Sequence, residues 1–123
     1  LEDKYLEKIY LYKFVWEAGT TLPTLKVREC EVISDKGYGF KIENGEHVVI
    51  VLKDAIDSNK FDYTDNKDGV SCFYYASEKT PENLAYFKNF LYKKFNARIE
   101  TLTNTLNKYL SLKTVLQEYL SGE

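Results

Sequence analysis

The chain has 123 residues, of which 44% are apolar and 29% charged. These are the values of one globular domain with a real core, and they exclude a disordered tail. Its 17 basic and 19 acidic residues give a net charge of −2, which argues against a binder of the nucleic-acid backbone, whose footprint is a basic excess.

Eleven tyrosines and seven phenylalanines supply wide, stiff, half-polar surface of the kind common at binding sites and interfaces. Residues 8 to 16, KIYLYKFVW, alternate with period 2. Tyr10, Tyr12, Phe14 and Trp16 fall on one face and Ile9, Leu11 and Val15 on the other, so a strand between two covered layers is expected. EAGTTLPT reads as a turn and residues 24 to 33 as a second strand. SDKG then leads into a third strand over Tyr38, Phe40 and Ile42. ENGE, 43 to 46, is the strongest hairpin signal, with Asn44 and Gly45 expected as the two positive-φ residues of a type I′ turn. HVVIVL, 47 to 52, reads as a central strand and KDAIDSNK as a loop. Residues 61 to 64 form a short strand, DNKDG a turn and 70 to 76 the last strand. Six strands joined by short turns predict an antiparallel sheet, twisted or rolled into a partial barrel, over residues 8–77.

The switch to helix is sharply marked. Thr80 suits an N-cap, Pro81 the first helical position and Glu82 the positive end of the dipole. Leu84, Phe87, Leu91, Phe95, Ile99, Leu102 and Leu106 recur at spacings of three and four, and Leu110, Leu116 and Leu120 continue the stripe past Lys113. One helix of that length would reach about 60 Å, far beyond a small domain. Either the helix projects and packs on a copy of itself or the chain breaks; a break with self-association is the preferred reading, giving two helices in 80–121, broken near 94–97 within KKFNAR, with Asn96 capping the second. The fold class is α+β in a single domain, 1–123. The near-heptad tail suits a helical interface between copies, a homodimer or a larger homo-oligomer.

Few residues here suit catalysis. His47 is the lone histidine, no nucleophile motif or C-x-x-C occurs, and the acidic loops lack calcium-loop spacing, so no enzyme, metal or cofactor is expected. Cys30 and Cys72 read as reduced, packed thiols. No signal-type segment or apolar run of about 18 residues is present, so a cytosolic chain without membrane partners is expected.

Binding is better supported. On the last strand Ser71, Phe73, Tyr75 and Ser77 share a face, as a strand bordering a pocket would arrange them, while Cys72, Tyr74 and Ala76 share the other. A ring such as Phe73 or Tyr75 stacks on a nucleobase for about 1–3 kcal/mol. Asn83 has an amide for a base edge, the helix start has free N–H groups for an anion, and Arg98 has a bidentate guanidinium for a pyrophosphate. The same residues also fit plainer roles: Phe73 in a core, Asn83 as a cap, Arg98 paired with Glu100 or Glu82.

This order of elements, six short antiparallel strands and then C-terminal helices that build an oligomer, resembles the phage anti-Thoeris sponge family. Phe73 and Asn83 carry the likeness, having the family's spacing of ten between an aromatic of the last strand and an Asn near the helix start. The resemblance implies non-catalytic sequestration of a cyclic ADP-ribose-type signal, which blocks bacterial TIR-based anti-phage immunity in the cytoplasm of the infected cell. Phe73, Asn83, Arg98 and Tyr75 would form the site, in a homo-oligomer. The alternative is a small phage-type protein that inhibits a host enzyme by binding it.

Overall fold

The computed structural model describes residues 6–20 and 22–122, which divide into two compact units, Leu1–Phe87 and Lys88–Glu123. The first unit is an antiparallel six-stranded half-barrel in the order β4-β3-β2-β1-β6-β5. Its strands are β1 (Lys8–Glu17), β2 (Thr24–Asp35), β3 (Gly39–Asn44), β4 (His47–Leu52), β5 (Asp62–Asn66) and β6 (Gly69–Ala76).

β1 is central because it is apolar on both faces. It pairs with β2 on one side and β6 on the other, so both of its edges are satisfied. Ile9 and Leu11 point to one face and join Cys30, Phe40, Ile42 and Val51 in the main core. Fully burying such aliphatic side chains contributes roughly 1.5–3 kcal/mol each. Tyr12 points to the opposite face and is equally buried. Neither cysteine is in a disulfide, and the two lie apart, Cys30 on β2 in the main core and Cys72 on β6 facing the other way, with β1 between them.

Two strand details differ from expectation. HVVIVL is the edge strand β4, not a central one, and Val48, Ile50 and Leu52 on its outer face are about half exposed. A continuous apolar run does not by itself distinguish an edge from a centre, since pairing depends on partners elsewhere in the chain. The β3–β4 turn has Gly45 and Glu46 at its tip, because Asn44 already pairs with His47, and Gly45 alone takes positive φ (66°). Glycine at the first tip position is the requirement of a type II′ turn, so Asn44 serves as a strand residue. At the other hairpin Gly69 is obligatory: a Cβ there would stand 2.1 Å from the Trp16 carbonyl oxygen.

The expected pair of helices is corrected to one. α1 runs without a break from Pro81 to Ser121, through the KKFNAR segment where an interruption was expected. That segment holds neither Gly nor Pro. Asn96 inside a helix costs only about 0.7 kcal/mol, whereas a break would leave a new set of end groups without partners. The N-terminus forms as its residues dictate: the Asn83 N–H donates to Thr80 Oγ1 at 3.0 Å, and Pro81 occupies the first helical position.

Within the first unit, the opening turns of α1 meet the second face of the sheet in an aromatic cluster. Tyr12 lies 5.9 Å from both Tyr74 and Phe87, and Phe61 stacks on Tyr74 at 4.9 Å. The Tyr12 hydroxyl accepts from the Thr80 N–H at 3.3 Å and donates to the Glu78 carbonyl at 3.4 Å, linking β1 to the turn before α1. Both bonds are long, and Tyr12→Phe is expected to lower unfolding free energy by about 1 kcal/mol in a urea titration. An unchanged midpoint would remove the hydroxyl from the account of this junction.

Candidate functional site

The end of β6, the loop at Asp57 and the first turns of α1 enclose a cleft of about 540 Å³. Its position follows from local chemistry. Ile56 makes a parallel bridge to Tyr75, and the Asp57 N–H donates to the Tyr75 carbonyl at 3.0 Å, drawing the loop against β6. Asp57 adopts φ 55°, a left-handed conformation that Asp tolerates better than most residues. Its carboxylate accepts the Ser77 N–H at 2.9 Å and the Ser77 hydroxyl, which holds it at the strand end. On the helix side Asn83 donates from Nδ2 to the Glu78 carbonyl at 2.7 Å.

Asp57, Glu78 and Glu82 give the lining three acidic residues, and no Lys or Arg lines the cleft among the described residues. Aromatic rings complete it: Tyr74 and Tyr86 meet edge to face with centroids 5.5 Å apart, and Phe61 lies 5.3 Å from Tyr86. Burial first, then the charge of Asp57, pushes the Tyr74 phenol up to about 12. A separate recess of about 310 Å³, lined by Tyr12, Val27, Pro81 and Leu84 with Lys79 and Thr80, is largely apolar.

Phe73 and Tyr75 do share a face, as the alternation required. That face is the main core, against which both are packed half-buried, with Lys13 Nζ 5.9 Å from the Phe73 ring centre. Asn83 borders the cleft with Tyr74, the residue that alternates onto the opposite face of β6. The structure therefore brings Phe73 and Tyr75 together but separates both from Asn83. Arg98 is exposed in the second unit and makes no ion pair with Glu100 or Glu82. The free N–H groups expected at the helix start are partly used, since Asn83 N–H and Leu84 N–H both donate to Thr80.

Tyr74, Tyr86 and Asp57 were missed in the sequence reading. The pairing of Tyr12 with Tyr74 was available as a signal, because the fully aromatic face of β1 needed a cover and the helix follows β6 directly. For Asp57 no signal exists in a loop that reads as solvated. Among the described residues no group of His, Cys, Asp and Glu is placed to hold a metal ion, and no helix is long and apolar enough to cross a membrane. No family model, curated protein or solved structure matches the chain.

Burial also raises Tyr12 and Tyr75, so three phenols favour their neutral form in the folded chain. Their stabilising contribution is fully present below the unfolded value near 10 and is lost as pH rises through the raised folded values, about 12 for Tyr74. Denaturant titrations across that window are expected to show falling stability, with a shallower fall in Tyr74→Phe. A flat profile would contradict the assignment.

Proposed function

We propose that this protein is a non-catalytic interaction protein, in which the half-barrel carries a binding site and the C-terminal helix assembles the chain with a second copy of itself. One observation carries this reading. In the unit Lys88–Glu123, Ile99, Leu102, Leu106, Tyr109, Leu116 and Leu120 recur at alternating three- and four-residue spacings around Lys113, and each is at least half exposed. Helical propensity alone sustains a long helix only marginally in water, so the helix draws its stability from covering such a stripe. A strict three-four repeat is the seam that a like helix fits. Lys113 stands at a seam position, where parallel in-register pairing would set it against its own copy. Antiparallel pairing avoids that like-charge contact. Sedimentation equilibrium at micromolar concentration is expected to give a species larger than the monomer, and a monomer for Leu106→Glu/Leu116→Glu. A monomeric parent chain would end this reading.

A second reading is the sequestration of a cyclic ADP-ribose-type nucleotide, blocking TIR-based anti-phage immunity. It is favoured by Asn83, which borders a cleft large enough for a nucleoside alongside the rings of Tyr74 and Tyr86. The three carboxyl groups there oppose a pyrophosphate, and this ranks the reading second. Its test is calorimetric titration with cyclic ADP-ribose isomers and mass spectrometry of whatever heating releases. Saturable binding with the nucleotide recovered intact, weakened by Asn83→Ala, is the expected result under this reading. Retained affinity in that variant would remove Asn83 and its cleft from the site; Phe73 and Tyr75, on the core face, and Arg98, in the second unit, do not line this cleft.

A further inference from the structure

The cleft between Asp57 and α1 is rich in acceptors and poor in donors. Asp57, Glu78 and Glu82 are acidic members of the lining, the Asp57 carboxylate already accepting from Ser77, and Asn83 has its Oδ1 to offer because its Nδ2 is committed to the Glu78 carbonyl. Thr80 has taken the N–H groups of Asn83 and Leu84, two of those at the helix start.

A second, independent feature is Tyr74. Its side chain is only 2% exposed and is held among Phe61, Tyr12 and Tyr86, yet its hydroxyl makes no hydrogen bond with any described residue. Among the described residues no buried side-chain polar atom lacks a partner, so this hydroxyl is the end of the residue that opens into the cleft. A tyrosine so fully enclosed is usually hydrogen-bonded, and here the open hydroxyl leaves that bond to water or to a bound group.

We propose that the cleft binds an alkylammonium group, carried by a free polyamine or by a lysine side chain. An ammonium has three donors and no acceptor, which is the complement of this wall set. The carboxylates supply the charge, the Tyr74 oxygen accepts one N–H, and the apolar stem of the amine lies against the Tyr86 ring. The volume of about 540 Å³ admits a chain of several methylenes beyond the charged head. The site lies wholly within the unit Leu1–Phe87 and does not depend on self-association.

The test is calorimetric titration of the full chain at low salt with spermidine and, separately, with a short lysine peptide. Amide spectra would follow the Asn83 side chain. Saturable binding that shifts the Asn83 signal and weakens as salt is raised is expected. Glu82→Gln should weaken it about threefold, as loss of an exposed charge partner does. Tyr74→Phe, which keeps the buried ring, should weaken it about tenfold, as loss of a hydrogen bond to a charged group does. Binding of spermidine alone identifies a free polyamine, and binding of the peptide alone identifies a lysine side chain. Absence of saturable binding to both would overturn the proposal. So would equal affinity in both variants, which indicates diffuse attraction to an acidic chain, or displacement of spermidine by cyclic ADP-ribose, which indicates an anion site.

Discussion

Tyr12 joins the two halves of the first unit. Its backbone lies in β1, the strand with a partner on each edge, its ring packs between Tyr74 and Phe87, and its hydroxyl meets the Glu78–Thr80 turn. A phenylalanine would fill the same space but leave the turn's polar groups without that partner. The geometry of the turn sets where α1 begins, and the start of α1 forms one wall of the cleft. The position of the site therefore follows from one buried phenol on the central strand.

The half-barrel separates its two faces by chemistry. The Ile9–Leu11 face is closed by aliphatic and aromatic side chains and has little room for a ligand. The Tyr12 face is aromatic and its rim is polar, so where the cover of α1 stops it leaves a cleft whose floor is ring edges and whose walls are carboxylates. Such a site holds its shape cheaply, because Asp57, Asn83 and Thr80 are fixed by hydrogen bonds to neighbouring backbone or side chains. Pre-organisation of that kind lowers the ordering cost of binding.

The second unit follows a different logic. Its residues form helix readily and hold no breaker before Gly122, so α1 reaches 41 residues. Length gives it a seam, and the seam gives it a use only when another surface covers it. Leu106 and Leu116 are determined as helical positions by the chain itself, and under the proposed self-association the covered seam would add the packing that helical propensity does not supply.

Local and near-local features were legible in the sequence. Alternation placed every strand within a few residues, Thr80 and Pro81 marked the helix start, and Phe73 and Tyr75 were correctly set on one face. These depend on backbone geometry and neighbours close in the chain. The edge position of β4, the continuity of α1 and the meeting of Asn83 with Tyr74, not with Phe73, were decided by tertiary structure. In each case the deciding partner lies far along the chain: strand order sets which face α1 covers, and Asp57 reaches Ser77 across twenty residues. Periodicity assigns residues to faces. Only the folded sheet determines which face is the core and which borders the cleft.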